Sequence, residues 1–196
     1  MTAMQVDGYL STYGQSENVW LAGLQKAALT HVEAVGAPAP RTEWWKYSNP
    51  KRVASQDWQL RPDTAFDLGA VEQHRVKDAV EAVFVNGRLV DLRGDHEGVT
   101  LLPLRQAVSE RPFSVQAHLG RYATIDADKN VFTALNLAFV QDGAYLEISG
   151  TGSHIHLIFV TTGTNVACHP RTLVLLNRAA EATLQETWIG NDGTFT

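Results

Sequence analysis

The first part of the chain places apolar residues at helical spacing. They stand at every fourth position: Trp20, Leu24, Ala28 and Val32. This period is that of one buried face of an α-helix. Ser16 is suited to cap its start, and Gly36 followed by Pro38 ends it. We therefore predict an amphipathic helix over about residues 17–35, preceded by a shorter helix over residues 4–13.

From residue 80 the pattern changes to that of strands. The segments 83–85 and 88–90 flank Asn86-Gly87, and Asn-Gly supplies the positive φ angles of a two-residue hairpin turn. We predict a β-hairpin here, and short helical turns over 101–108 and 132–139.

Short strand candidates then follow one another from residue 143, separated by glycines. They cover residues 145–149, 155–160, 172–177 and 183–189. In the second of them, alternation places Ile155, Leu157 and Phe159 on one face. Tight hairpins, rungs of a β-helix and staves of a barrel all fit this spacing, and periodicity alone does not choose among them.

These patterns divide the chain into three segments. They are a helical N-terminal region over 1–40, an aromatic and basic connecting segment over 41–79, and a hairpin with the start of a stacked β region over 80–196. The last residues, from Gly190 to Thr196, include neither a closing helix nor a cap. A stacked β structure that ends in this way leaves unpaired backbone groups at an edge. We therefore expect an incomplete chain, or one whose end another chain covers.

Composition narrows the class of protein. Of 196 residues, 44% are apolar and 19% charged, and 16 basic against 21 acidic residues give a net charge of −5. The negative sign disfavours non-specific binding to nucleic acid or to an anionic membrane. The single cysteine, Cys168, cannot form an internal disulfide, and no apolar run reaches the ~18 residues of a membrane span. We expect a soluble, cytoplasmic protein that binds neither nucleic acid nor membrane.

Histidines and the cysteine form two candidate sites. His154 and His156 share a strand face and could ligate one metal ion. Because no carboxylate or thiol completes the set, we interpret them as solvent-facing residues opposite an apolar core face. Cys168 stands beside His169 and near Arg171, which could activate the thiol. Adjacent residues of an extended chain point to opposite faces, so we interpret Cys168 as a small buried residue at a turn.

Acidic residues cluster twice along the chain. The first cluster consists of Asp91, Asp95, His96 and Glu97, and the second of Asp126 and Asp128. A calcium loop needs a longer frame of alternating oxygen ligands than the first cluster provides. We interpret the first as a solvated turn after the hairpin and the second as turn and helix-cap residues.

Residues 41–62 combine five basic and two acidic residues with four aromatic ones, Trp44, Trp45, Tyr47 and Trp58. Such interleaving is typical of platforms that stack single-stranded nucleic acid. The remainder of the chain is acidic and would repel a phosphate backbone. We therefore favour aromatic anchors that hold this segment to the domain while its basic residues face solvent.

No catalytic, cofactor-binding or metal-ligating residue is predicted. No glycine is followed by lysine, which excludes a phosphate loop of the Gly-Lys-Ser/Thr type, and neither Gly-x-Gly-x-x-Gly nor Gly-x-Ser-x-Gly occurs. The residues alone predict an α+β protein with a stacked β region.

Four stretches, in order, resemble one family. They are residues 41–48 (RTEWWKYS), 83–87 (VFVNG), 132–148 with the motifs FTALNLAF and DGAYLEI, and 170–190 with PRTLV and AEATLQETWIG. They resemble the segment after the N-terminal helices, the entry hairpin, the Leu-Asn-x-Ala-Phe…Asp-Gly signature and the early β-helix rungs of the SufB/SufD family of iron–sulfur cluster assembly subunits. The helical leader and single cysteine are more similar to SufD than to SufB.

The resemblance implies an α+β fold in which a helical N-terminal region precedes the first rungs of a right-handed parallel β-helix, truncated here. It implies a non-enzymatic subunit of the SUF machinery, acting with a SufB-like subunit and a SufC-like ATPase in a cytoplasmic hetero-oligomer. The complex would assemble the iron–sulfur cluster, and this chain alone would bind no cofactor. Family members are longer, and their cluster chemistry depends on the later part, so no cluster ligand is assigned.

Two other functions stay open. A β-helix carbohydrate-active enzyme or binding module could use acidic residues such as Glu147, Glu181 and Glu186 in a surface groove. On a regular strand, however, Glu181 and Glu186 would face opposite ways. RNA binding through residues 41–62 predicts an affinity that falls steeply with salt.

Overall fold

The fold is known from a computed structural model, which describes residues 4–13, 16–39, 43–45, 47–48, 50–60, 65–123, 131–191 and 194–196. Its α-helices are α1 (Asp7–Thr12), α2 (Val19–Val35), α3 (Lys51–Ala54), α4 (Leu104–Glu110), α5 (Pro112–His118) and α6 (Val131–Phe139). Two 3-10 helices cover Glu43–Trp45 and Leu68–His74. The strands are β1 (Val80–Val85), β2 (Arg88–Arg93), β3 (Val99–Pro103), β4 (Gly143–Ile148), β5 (Ser153–Thr161), β6 (Val166–Ala167), β7 (Arg171–Leu176), β8 (Ala182–Gly190) and β9 (Thr194–Phe195).

The helix predicted over residues 17–35 is confirmed as α2, but its cap is Asn18 rather than Ser16. Asn18 Oδ1 accepts a hydrogen bond from the Leu21 amide at 3.1 Å. Ser16 stands outside the helix and accepts from the Asn18 amide at 3.2 Å. Gly36 ends the helix with a φ of 69°, as its position predicted. The shorter predicted helix is confirmed over a narrower range, as α1.

The Asn86-Gly87 hairpin is confirmed. Asn86 and Gly87 have φ angles of 48° and 77°, and β1 pairs antiparallel with β2. The helical turn predicted over 132–139 is confirmed as α6. The one predicted over 101–108 is wrong in its first half, because Leu101 pairs with Leu146 across β3 and β4 and keeps the chain extended to Pro103.

Within the described residues, three sheets have the strand orders β2-β1-β5-β8, β3-β4-β7 and β6-β9. The pairs β4–β7, β5–β8 and β6–β9 are all parallel. Arg171 pairs with Gly143, 28 residues earlier, and Ala182 pairs with Ser153, 29 residues earlier. The strands β7, β8 and β9 thus repeat the path of β4, β5 and β6, each lying beside its counterpart. The parallel pairing excludes successive hairpins, and the separation of the described strands into three open sheets excludes a closed barrel for them.

The two larger sheets enclose an apolar layer. Its members include Ala82, Phe84, Leu101, Leu146, Ile148, Ile155, Leu157 and Phe159. The predicted face of Ile155, Leu157 and Phe159 is therefore confirmed as core. On the opposite face of the four-stranded sheet, Val71 of the second 3-10 helix packs with Val83, Ile158 and Val160.

A second core joins the helices to the three-stranded sheet. It contains Tyr9, Val32, Val115, Leu137 and Tyr145, among others, and α2 lies along α6. No helix among the described residues has the length and apolar character needed to cross a membrane.

Candidate functional site

A column of three aromatic rings runs across the four-stranded sheet. In the parallel registers, Phe84 of β1 pairs with Phe159 of β5, and Phe159 pairs with Trp188 of β8. The ring centroids are 5.1 Å apart in the first pair and 4.3 Å in the second, and both pairs are stacked. Phe84 and Phe159 are buried, whereas Trp188 is 51% exposed. The column therefore ends at an open ring on the edge strand.

Among the described strands, β7 and β8 each lie at one end of their sheet. We call these two strands the open edge. Their exposed apolar side chains are Val174, Leu176, Leu184 and Trp188. Trp188 also lines a cavity of about 510 Å³ with Phe132, Arg171 and Phe195. An edge strand directs backbone N–H and C=O groups outward, where a further strand can pair with them. The open edge is the best candidate for a protein-binding surface on the described part of the chain.

A buried polar cluster lies behind this edge, on the outer face of the same sheet. Glu81 of β1 and His156 of β5 are register partners, with 3.0 Å between carboxylate Oε2 and imidazole Nδ1. His156 Nε2 lies 2.8 Å from Thr187 Oγ1 on β8. Glu81 is 3% exposed and His156 fully buried. The cluster therefore links β1, β5 and β8 by side chains as well as by their backbones.

Arg75 closes this cluster from the segment after the second 3-10 helix. Its guanidinium donates to Glu81, to Asp91 at 2.8 Å and to Glu72 at 2.9 Å. The Val76 amide also donates to Glu81, at 3.2 Å. Burial alone would raise the pKa of Glu81, but the hydrogen bonds from Arg75, His156 and Val76 outweigh it and lower that pKa. The carboxylate is thus held in its charged form.

This cluster corrects two sequence interpretations. His156 is not solvent-facing, because the segment around Arg75 covers its face of β5. Asp91 is not part of a solvated turn, since it pairs with Arg75 and with Arg93, each at 2.8 Å. One signal could have located the cluster: Glu81 interrupts an otherwise apolar strand, and a charged residue within a buried run needs a partner.

No group of three His, Cys, Asp or Glu side chains among the described residues is placed to hold a metal ion. His154, two positions before His156, is half-buried. Of the acidic turn residues, Asp95 and Glu97 are exposed as expected. Asp126 and Asp128 lie outside the described residues.

Cys168 is confirmed as a buried residue. It is 4% exposed, and burial raises the pKa of its thiol to about 11. His169 is directed elsewhere, with its ring 5.2 Å from that of Tyr9. Burial, and to a lesser degree the charge of Arg171, lower the pKa of His169 to about 3. The Cys168 thiol is directed at Asn86 Oδ1, 4.0 Å away, and no hydrogen bond among the described residues joins it to His169, so the two do not form a nucleophile–base pair.

The connecting segment is anchored by tryptophan, as the sequence indicated. Trp58 is 8% exposed, and its indole donates to the Val53 carbonyl at 2.8 Å. Trp45 packs edge-on against Phe132 with 5.2 Å between ring centroids. The backbone of Trp44 continues the first 3-10 helix, and the positions 41, 46 and 61 lie outside the described residues. Trp45 and Trp58, held in this way, do not offer the free faces that base stacking requires. Tyr47 differs from the prediction, since its ring is 92% exposed.

The three carboxylates considered for carbohydrate chemistry are not brought together. Glu147 lines a cleft with Arg111 and Ser149, whereas Glu181 lies in another cleft and Glu186 in a third. Glycosidase chemistry needs two carboxyl groups on either side of one bond. The arrangement gives that chemistry no support.

The described residues thus form an α+β chain with stacked parallel strands and an exposed apolar edge. The family described as SufBD protein N-terminal region matches residues 11–151. The chain is also 24% identical over 181 residues to the Iron-sulfur cluster assembly SufBD family protein slr0076 of Synechocystis sp., covering 88% of this chain and 40% of that protein. The chain therefore belongs to the SufBD family, and it spans about two fifths of the length of this relative.

Proposed function

We propose that this chain is a SufD-type, non-enzymatic subunit of a cytoplasmic scaffold that assembles iron–sulfur clusters. The observation that carries the proposal is the family match over residues 11–151. A relative named for iron–sulfur cluster assembly supports it. The partners in the proposal are a SufB-like subunit and a SufC-like ATPase, which would supply ATP hydrolysis.

The proposed fold of the strand region is a right-handed parallel β-helix. It is supported by the parallel return of β7, β8 and β9 beside β4, β5 and β6. The aromatic column adds to this, since one ring per strand stacks along the direction in which strands accumulate. Each set of three strands buries apolar side chains against the next set, which is how solenoid architectures obtain their core.

In this proposal, the strand that covers the open edge comes from the SufB-like subunit or from later residues of a longer chain. Backbone hydrogen bonds to β8 would provide affinity, and apolar contacts to Leu184 and Trp188 would provide specificity. Aromatic residues that are half-exposed at the centre of a surface are common binding anchors. The complex is then a hetero-oligomer, with this chain as one of its structural members.

The cluster is the cargo of the complex, and we assign it no ligand in this chain. Cys168 is buried, and the raised pKa of its thiol disfavours the thiolate that iron ligation requires. The chain would act on cluster assembly through its partners.

Co-purification tests this proposal. The chain, carrying an affinity tag, is co-expressed with a SufB-like and a SufC-like protein and isolated. We expect the wild-type chain to retain the SufB-like subunit and the Trp188→Glu variant to lose most of it. Leu92→Glu is the matched control, since Leu92 is an exposed apolar residue (47% exposed) of β2, at the opposite end of the same sheet from β8. Absence of the SufB-like subunit from the wild-type preparation would contradict the proposal.

A further inference from the structure

A cleft of about 330 Å³ opens where four parts of the chain meet: the start of α2, the hairpin, α4 and the segment after α6. Its apolar wall consists of Leu21, Val108 and Val140, all of which are buried. Arg88 and Arg105 are its two cationic side chains. The other lining residues are polar, so the cleft combines a small apolar wall with many hydrogen-bonding groups, at the volume of a small-molecule site.

The walls of this cleft are fastened to one another by long-range hydrogen bonds. Gln25 of α2 is 3% exposed, and its Nε2 donates to the Val140 carbonyl at 2.6 Å. The Arg105 amide donates to Asp142 Oδ1 at 3.0 Å. These bonds fix α2, α4 and the segment after α6 relative to one another, so the cleft is formed before any ligand enters.

Among the described residues, the two arginines have no carboxylate partner in direct contact. Neither Arg88 nor Arg105 forms an ion pair within 4.0 Å in the described part of the chain. Burial, and then the like charge of Arg105, lower the pKa of Arg88. Two guanidiniums that repel one another, one of them partly buried, are stabilised when an anion lies between them.

Two carboxyl groups also belong to this region. Glu17 lies at the exposed rim of the cleft. Asp142 is 3% exposed, and it accepts hydrogen bonds from the backbone amides of Arg105 and Gly143. Asp142 therefore attracts both arginines without occupying their donor groups. A ligand has to present its charge to the guanidiniums and keep it away from Glu17.

From this geometry we propose that the cleft binds a small organic anion. A carboxylate or phosphate head group contacts Arg88 and Arg105, and an apolar body lies against Leu21, Val108 and Val140. A guanidinium donates two parallel hydrogen bonds to such a head group. The apolar wall favours an organic anion over an inorganic one, because only the organic ligand buries hydrocarbon there. This site is independent of the open edge and of the scaffold role.

Isothermal titration calorimetry of the chain with phenyl phosphate and with inorganic phosphate tests the site. We expect saturable binding of phenyl phosphate, and binding of inorganic phosphate that is at least tenfold weaker. Arg88→Gln and Arg105→Gln should each weaken phenyl phosphate binding by about 10- to 100-fold, the range for a lost charge-assisted contact. Arg105 is exposed on α4, so its replacement leaves the fold intact even where that of Arg88 does not.

Arg178→Gln is the matched control, because it removes the same charge from the exposed turn between β7 and β8. This variant should bind phenyl phosphate as the wild type does. The proposal is overturned if the wild type binds neither probe at millimolar concentration, or if the Arg105 and Arg178 variants bind equally well. Equal affinity for the two probes would refute the role of the apolar wall.

Discussion

His156 and Glu81 are register partners on adjacent parallel strands, with 3.0 Å between imidazole Nδ1 and carboxylate Oε2. Both side chains are almost fully buried. Arg75 reaches the same carboxylate from the segment that covers this face. The pair therefore attaches a covering segment to the sheet that carries the open edge.

Removal of the shared acceptor should destabilise the fold strongly. Glu81→Ala leaves Arg75 and His156 without the carboxylate that both contact. We expect a loss of about 3–5 kcal/mol in the free energy of unfolding, as for one partner removed from a buried ion pair. Urea denaturation measures it. Glu181→Ala, at an exposed position, is the control and should change stability by less than about 0.5 kcal/mol.

The pH dependence of stability should include a contribution from His169. Burial lowers the pKa of His169 to about 3 from an ordinary value of 6.5, so the fold favours the neutral imidazole. This contribution is fully present above pH 6.5 and is lost as the pH falls towards 3, by at most about 1.4 kcal/mol per pH unit.

Thermal melts of His169→Phe between pH 7 and 4 check this. Phe retains ring packing beside Tyr9 and Phe139 and cannot take up a proton, so its loss of stability on acidification should be smaller than that of the wild type. Phe113→Leu, at an exposed ring that does not titrate, is the control and should follow the wild-type curve. Parallel curves for the wild type and His169→Phe would show that His169 does not contribute.

Protonation of Glu81 should cause a second loss of folding stability at lower pH. Its pKa is lowered from 4.5, so its contribution is present above that value and is lost as the pH falls through the lowered pKa. We expect the free energy of unfolding of the wild type to fall more steeply with decreasing pH below about pH 4.5. The Glu81→Gln variant should lack this additional step. A step of the same size in Glu81→Gln would assign it to other carboxyl groups.

The rings of the aromatic column should differ in how much each contributes to the stability of the fold. Phe159 is 3% exposed and stacks on both sides, against Phe84 and Trp188. We expect Phe159→Ala to cost about 3–5 kcal/mol, the usual range for a buried aromatic residue. Trp188→Ala should cost clearly less, because Trp188 is half exposed. If chemical denaturation shows the same loss of stability for the two variants, Trp188 is buried in solution and the open edge is covered.

Trp58 should behave as an anchor of the connecting segment. It is buried and donates to the Val53 carbonyl, so Trp58→Ala is expected to lower stability by about 3–5 kcal/mol. Phe113→Ala, at an exposed ring, is expected to have almost no effect. A Trp58→Ala variant that melts at the wild-type temperature would contradict the anchoring role and return this segment to nucleic-acid binding.

The local elements were predictable from the sequence because their causes are local. The apolar period of α2 and the Asn86-Gly87 turn both act within a few residues. The register of Glu81 with His156 was not predictable, because 75 residues separate the two and no local pattern encodes their pairing. The interpretation of His156 as solvent-facing was wrong for the same reason: the covering segment around Arg75 precedes it by a similar distance.

The candidate surface was partly predictable. Unpaired edges were expected wherever stacked strands end, and the motif at residues 180–190 already resembled a β-helix rung. The division of β7 and β8 between two sheets, and the exposure of Trp188, depend on which earlier strand each one joins. The cleft around Arg88 and Arg105 could not be found from spacing, since four distant parts of the chain form it.

Hydrogen exchange of the β8 amides reports directly on the binding surface proposed for the SufB-like subunit. The exchange of residues 182–190 is measured in the free chain and after addition of the SufB-like subunit. We expect the outward-facing amides of β8 to exchange readily in the free chain and to become protected in the complex, while those of β3 change little. If the β8 amides exchange at the same rate before and after the SufB-like subunit is added, the open edge is not its binding surface.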